Sequence, residues 1–135
     1  MAWENLPSTN TPLNATNLDK ITDSGSNSNG RWLKFQDGTL IQWKSEEVTD
    51  QAIGNQYGGT AIYFGTRQIT FPIEFYDANY VGTVGRAIWG TGGSWGAVMT
   101  NTQKYSMQII VYDMFSRAAG TNFKLSWMAI GRWKA

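Results

Sequence analysis

The chain contains no cysteine and no histidine among its 135 residues. Without cysteine it has no disulfide framework, no thiolate metal site and no thiol nucleophile. Without histidine it has no imidazole zinc site, no histidine-based catalytic triad and no ordinary proton shuttle near neutral pH. Any catalysis would depend on carboxylates, lysines or tyrosines, and we expect no cofactor and no metal ion.

Charged residues and long apolar runs are also scarce. Asp, Glu, Lys and Arg together make up 16% of the residues, and the net charge is +1. Nucleic-acid-binding proteins usually carry a basic stripe, so nucleic acid is not an expected partner. No apolar run reaches transmembrane length, and no basic start precedes an apolar segment. We therefore expect neither membrane insertion nor secretion, and predict synthesis in a cytoplasm.

Glycine and tryptophan are abundant, with fifteen and seven copies. This composition is typical of an aromatic-rich all-β protein with many turns. Alternating segments 31–36 and 39–44 flank Asp37-Gly38, which predicts a hairpin with a tight turn. Further strands are expected within 60–66, 68–71, 80–89, 97–100, 104–115 and 121–134, and a long loop over 46–59. The sequence thus predicts an antiparallel β-sandwich of six to eight strands, with a core containing Trp32, Phe35, Trp43, Phe71, Phe75, Phe123 and Trp127.

The last predicted strand has apolar groups on both faces. One face is apolar throughout, whereas Met128 and Ile130 share the other with Lys124, Ser126 and Arg132. A half-buried strand of a monomeric sandwich needs only one apolar face. The second face therefore predicts a covering segment or another subunit. The apolar face holds Phe123, Leu125, Trp127, Ala129 and Trp133.

The first thirty residues differ in composition from the rest. Pro12 can occupy the first position of a short helix over 12–21, capped by Thr11. Asp23–Gly30 is rich in Ser, Asn and Gly and predicts a flexible linker. We expect residues 1–29 to form an attachment segment and residues 30–135 to form a head domain.

Four segments, taken in order, resemble bacteriophage and prophage tail-fibre receptor-binding proteins. Segment 5–21 is similar to the start of small tail proteins of phages that infect Gram-positive bacteria. Segment 30–43 resembles the entry to their C-terminal head domain. Segments 69–75 and 123–131 resemble the first and last strands of H-type lectin-like domains.

This resemblance implies a sandwich that assembles as a homotrimer and binds surface glycans on exposed loops. The N-terminal segment would attach it to other tail or baseplate proteins. By the same resemblance, Tyr112-Asp113 occupies the place of an aromatic-Asp pair at the end of a lectin strand. The chain departs from the H-type lectins of animals because it lacks their sugar-contacting histidine. Sugar specificity therefore does not carry over.

Two tryptophans are the first candidates for a glycan site. Saccharide sites combine an aromatic face, which stacks on the sugar ring, with polar groups that bind its hydroxyls. Trp89 and Trp95 flank the glycine-rich segment 90–94. This segment offers few side chains that could cover large rings, so we expect the two tryptophans to form a stacking platform. Alternatively, Trp89 ends a core strand and Trp95 packs against a neighbouring subunit.

Asp113 and Arg117, at the end of the longest predicted strand, are the second candidate pair. They can bind hydroxyls or anionic groups of a ligand, because arginine offers a fixed fork of donors. The alternative is a salt bridge across the turn or between subunits. Asp77 and Asn79 lack the regular oxygen spacing of a calcium loop and predict a turn instead.

The sequence predicts a non-catalytic adhesin at the tip of a phage or prophage tail, recognising a bacterial cell-surface saccharide. Three weak sites on one axis would raise avidity through effective concentration. The ten acidic residues contain no motif that singles out a glycosidase pair, so an enzyme is not expected. The alternatives are a structural tail-tip or collar component that binds no glycan, and a cellular lectin.

Overall fold

A computed structural model describes residues 20–100 and 103–135 and confirms the predicted all-β antiparallel sandwich. The described part contains nine strands in two sheets, with the orders β1-β2-β3-β9-β6 and β4-β5-β8-β7. No helix that is long and apolar enough to cross a membrane occurs among these residues. The strands are β1 (Ile21–Asn27), β2 (Gly30–Phe35), β3 (Thr39–Val48), β4 (Asn55–Gln56), β5 (Tyr63–Thr70), β6 (Val81–Trp89), β7 (Trp95–Val98), β8 (Ser106–Asp113) and β9 (Phe123–Arg132).

The predicted hairpin around Asp37-Gly38 is confirmed as β2-β3, but its turn has a different form. Gly38 N donates to Phe35 O at 3.0 Å, and Gly38 has a positive φ of 98° while Asp37 does not. The loop therefore has three residues with glycine in the left-handed position, a common hairpin connection. Only one residue, rather than two, needs the backbone freedom of glycine.

The core lies between the two sheets and is built from the inner faces of their central strands. Phe71 packs edge-on against Phe75 and Tyr80, with ring centroids 5.0 Å apart in both pairs. Full burial of each large apolar side chain contributes about 1.5–3 kcal/mol. The buried apolar residues are Leu40, Ile53, Ile69, Phe71, Phe75, Ala87, Met107, Ile109, Val111, Phe123, Leu125, Trp127 and Ala129.

Two aromatic residues that we expected in the core lie outside it. Trp43 pairs with Met128 across β3 and β9, on the outer face, and is only half-buried. Phe35 alternates with the inward-facing Lys34 and is also half-buried outside the core cluster. Strand alternation sets this outcome, since the inner positions of β3 belong to Leu40 and Gln42, which are both fully buried.

The two-faced character predicted for the last strand is confirmed. Phe123, Leu125 and Ala129 of β9 are fully buried. On the outer face, Met128 and Ile130 are 41% and 39% exposed. The strand lies between β3 and β6 in the first sheet, so its outer apolar side chains lie well inside the sheet rather than at its edge.

The expectation of a flexible linker over Asp23–Gly30 is wrong. Residues Ile21–Asn27 form the edge strand β1, paired with β2, and Trp32 Nε1 donates to Asp23 Oδ2 at 3.1 Å. A polar composition is compatible with an edge strand whose outer face is solvated. The predicted helix over 12–21 lies outside the described residues except for its last two, and Ile21 already belongs to β1.

Strand boundaries also differ from the expected ones. The predicted strands 60–66 and 68–71 are one continuous strand, β5. The predicted loop over 46–59 contains the end of β3 and the two-residue strand β4. Both differences come from strand pairing: β3 pairs with β9, β4 with β5, and β5 with β8. Such pairing supplies backbone hydrogen bonds that local composition does not reveal.

Candidate functional site

Aromatic side chains form a row across the outer face of the second sheet. The register pairs Trp95 of β7 with Tyr112 of β8, and Tyr112 with Phe64 of β5. Directly opposed residues on one face of a sheet have neighbouring side chains. Tyr57, just after β4, closes the row through an edge contact with Phe64, at 5.7 Å between ring centroids. We call these four residues the aromatic platform.

The rings of the platform support one another in geometries typical of protein aromatics. Trp95 stacks on Tyr112, with centroids 5.7 Å apart and 25° between the ring planes. Tyr57 meets Tyr112 edge-on at 6.0 Å. Such contacts contribute about 0.5–1.5 kcal/mol per pair beyond area burial. The platform is therefore an ordered surface, yet Trp95 remains 42% exposed and Tyr57 50% exposed.

A shallow groove of about 290 Å³ runs along the platform. Its lining consists of Tyr57, Ile62, Trp95 and Tyr112. Asn55 pairs with Phe64 at the end of the aromatic row and is exposed. The groove thus offers flat apolar surface, two phenol hydroxyls and a nearby amide. These are the groups that contact the ring and the hydroxyls of a sugar.

Asp113 lies on the opposite side of β8 from Tyr112 and is buried. Its Oδ2 accepts hydrogen bonds from Ser94 Oγ at 2.7 Å and Arg117 Nε at 3.0 Å, and its Oδ1 accepts from Phe115 N at 2.9 Å. The Arg117 guanidinium lies 4.7 Å from the centre of the Trp89 ring. We call Asp113, Arg117, Ser94 and Trp89 the ion-pair cluster.

The electrostatics of this cluster favour the ionised carboxylate. Burial acts to raise the pKa of Asp113, but the hydrogen bonds from Ser94, Arg117 and Phe115 and the positive charge of Arg117 outweigh it. The pKa of Asp113 is therefore lower than that of an ordinary aspartate. Of the two interpretations that the sequence left open for Asp113 and Arg117, the geometry matches a salt bridge across the turn.

The structure separates the five predicted site residues into two groups. Trp95 and Tyr112 meet on the outer face, whereas Trp89, Asp113 and Arg117 belong to the ion-pair cluster. The expected joint platform of Trp89 and Trp95 is wrong, because Trp89 pairs with the inward-facing Phe123. Trp89 packs against the core, and its Nε1 donates to Ala118 O at 2.9 Å. Tyr112 takes the place of Trp89 beside Trp95.

The sequence missed the other two members of the platform, Tyr57 and Phe64. Tyr57 lies in a polar stretch that predicted only a loop. Phe64 follows Tyr63 in a strand, so period-two alternation sends one of the two rings outward. That signal was present, but it does not reveal which face is exposed or which residues lie across the sheet.

A second apolar surface covers the outer face of the first sheet. Ile130 of β9 pairs with Ile41 of β3 and with Val81 of β6, and Ile41 pairs with Leu33 of β2. Val81 is 69% exposed. Trp43 and Met128 form an adjacent opposed pair. We call these six residues the outer apolar face. It spans four strands, and contiguous apolar surface of this kind marks interaction sites in soluble proteins.

No protein-family model matches the chain, and no curated protein matches it. Among solved structures, the chain is similar to two fragments of the R1 pyocin tail fibre. One is a C-terminal fragment of the P. aeruginosa R1 pyocin fibre, and the other is an N-truncated R1-type pyocin tail fibre. Both have 23% sequence identity and a TM-score of 0.51, over 82% of this chain.

The match covers a different share of each fragment. It spans 28% of the longer fragment and 87% of the shorter one. At this level of identity the likeness concerns the fold. The sandwich described above is thus similar to the fold of these pyocin tail-fibre fragments. The lectin-like head domain stays a prediction, because neither match tests it.

Proposed function

We propose that this protein is a receptor-binding module of a phage-type tail fibre that recognises a saccharide on the bacterial cell surface. The observation that carries the proposal is the exposed, ordered stack of Trp95 on Tyr112 in an open groove. The similarity of the fold to pyocin tail fibres supports the tail-fibre setting. The sugar ring lies against the aromatic platform, and its hydroxyls bind Asn55 and the tyrosine hydroxyls.

The working assembly in this proposal is a homotrimer. The outer apolar face supports it, because the exposed side chains of Val81, Met128 and Ile130 gain stability when another subunit covers them. Three platforms on one assembly raise the avidity for a repetitive polysaccharide through effective concentration. The N-terminal segment attaches the trimer to other tail or baseplate proteins. The protein resides at the tail tip of the virion after synthesis in the host cytoplasm.

The proposal includes binding without chemical turnover. Glycoside hydrolysis uses two carboxyl groups facing each other across the bond, and the four residues that line the platform groove carry none. Asp113 is buried and bonded within the ion-pair cluster. Incubation with host cell-wall polysaccharide is therefore expected to release no reducing ends, and their release would identify the protein as a hydrolase.

Replacing Trp95 by alanine tests the saccharide site. We expect Trp95→Ala to weaken binding to host polysaccharide about tenfold, because the variant loses the stacking face of the platform. Binding is measured by surface plasmon resonance on immobilised cell-wall polysaccharide. Tyr105→Ala is the matched control, since Tyr105 is 51% exposed and lies outside the platform. A folded Trp95→Ala protein that binds as tightly as the wild type would contradict the site.

A structural tail-tip or collar component is the second candidate, favoured by the outer apolar face. Its aromatic platform would be covered by other tail proteins and would bind no glycan. Tryptophan fluorescence separates the two functions. In a receptor-binding protein, host polysaccharide protects Trp95 from acrylamide quenching, whereas in a purely structural component it has no effect.

A further inference from the structure

A cleft lined by lysines and aromatic residues lies away from the aromatic platform. Lys34 reaches it from β2, Glu74 and Tyr76 from the segment after β5, Lys104 from the turn before β8, and Trp133 from the segment after β9. Its volume is about 460 Å³, which falls within the range of small-molecule sites. We call it the basic cleft.

Positive charge predominates in the basic cleft. Lys34 and Lys104 line it, with Glu74 as the one lining carboxylate. The Lys104 Nζ–Glu74 Oε1 distance is 3.4 Å, and these side chains are 49% and 60% exposed. Lys34 Nζ lies 3.8 Å from Asp23 Oδ2, and these side chains are 28% and 52% exposed. Solvent reaches both ion pairs, and pairs of this kind contribute only about 0–1 kcal/mol. An anionic ligand can therefore replace either carboxylate.

Trp133 restrains one of the two lysines that line the cleft, Lys34, and the neighbouring Lys134. Its Nε1 donates to Phe35 O at 2.9 Å, which holds the indole in place. Lys34 Nζ lies 5.2 Å and Lys134 Nζ 4.9 Å from the centre of its ring. Cation–π attraction at these distances restrains flexible lysine side chains before a ligand arrives. Less conformational entropy is then lost on binding.

Tyr76 adds a flat surface beside the charges. Its ring is 54% exposed, while its backbone N donates to Arg132 O at 2.7 Å. The neighbouring Phe75 is anchored in the core and donates from its backbone N to Lys104 O at 2.8 Å. The cleft thus joins two cationic donors to an exposed ring on a supported backbone.

We propose that the basic cleft binds a saccharide that carries an anionic substituent, a phosphate or a carboxylate. Lys34 and Lys104 bind the anionic group through charge-assisted hydrogen bonds, and Tyr76 packs against the sugar ring. This site does not depend on the aromatic platform. Lys104 precedes the start of β8 and Tyr112 lies near its end, which separates the two sites by roughly 20 Å at the usual rise of a strand.

Calorimetric titration of the full chain with three small probes tests this inference. Glucose 1-phosphate and glucuronic acid carry the two anionic groups, and glucose carries none. We expect saturable binding of at least one anionic probe and much weaker binding of glucose. The anionic probe that binds identifies the substituent. Affinity should fall as the salt concentration rises, since solvent ions screen the lysine charges.

Charge-removing variants locate the binding. Lys34→Ala and Lys104→Ala should each lower the affinity for the anionic probe about tenfold. This is the loss expected when one charge-assisted hydrogen bond is removed. Arg86→Ala removes the same charge from β6, outside the cleft, and should leave affinity unchanged. Failure of the platform would show in the polysaccharide binding of Trp95→Ala, whereas failure of the cleft would show in the titrations of the two lysine variants, so the two failures are distinguishable.

Three results would overturn the proposal. The first is the absence of saturable binding of both anionic probes by the wild type. The second is equal affinity for glucose, which would show that charge is not recognised. The third is a loss of affinity in Arg86→Ala as large as that in the two lysine variants. Such a result would show that the net charge of the protein, and not the cleft, determines binding. Thermal melts of each variant confirm that the fold is retained.

Discussion

Ile130→Glu is expected to convert the assembled protein into single chains. Ile130 lies at the centre of the outer apolar face, between Ile41 and Val81 in the cross-strand register. In the proposed trimer each subunit would bury an unpaired carboxylate at the interface, which costs several kcal/mol per charge. Sedimentation equilibrium should show a mass near three times 15.1 kDa for the wild type and near 15.1 kDa for the variant.

The control for this experiment also replaces an exposed apolar residue by glutamate, but at a position outside the proposed interface. Met114 is 53% exposed and lies after β8, outside the outer apolar face. Met114→Glu should therefore retain the mass of the wild type. A wild type that stays monomeric at tens of micromolar, or an Ile130→Glu variant that remains assembled, would refute the proposed trimer. A single chain has one platform, so host attachment would then depend on the affinity of that one site.

Asp113→Ala is expected to lower the free energy of unfolding by about 3 kcal/mol, as found when one partner of a buried ion pair is removed. The variant loses three hydrogen bonds, from Ser94, Arg117 and the backbone of Phe115. It also leaves Arg117, whose side chain is only 21% exposed, without its carboxylate. Chemical denaturation followed by tryptophan fluorescence measures the loss.

The same carboxylate gives the stability a defined dependence on pH. The pKa of Asp113 is lowered in the folded protein, so its contribution is fully present above the pKa of an unfolded aspartate, about 4. That contribution is lost as the pH falls through the lower folded pKa. Between pH 7 and pH 3, the wild type should therefore lose more stability than Asp113→Ala does.

A surface ion pair provides the control for Asp113. The Asp50 side chain is 74% exposed and pairs with Arg67 at 2.9 Å. Exposed pairs contribute little because water and salt screen them, so Asp50→Ala should change the unfolding free energy by less than about 1 kcal/mol. Equal losses in the two variants would show that the ion-pair cluster contributes no more than a surface contact.

The sequence alone determined the fold class, the β2-β3 hairpin and the two faces of β9. These features follow from period-two alternation and from a turn that requires glycine, both of which are local properties of the chain. The sequence also selected Trp95 and Tyr112 as site residues. It did not predict that they touch, because the contact depends on the register between β7 and β8.

Tertiary structure decided the remaining features. Pairing turned Asp23–Gly30 from an expected linker into part of the β1-β2 hairpin, since an edge strand takes its hydrogen bonds from its neighbour and tolerates polar side chains. It also placed Trp89 with Asp113 and Arg117 in the ion-pair cluster, and added Tyr57 and Phe64 to the platform. These groupings bring together residues far apart along the chain, and local propensity contains no information about which distant strands will meet.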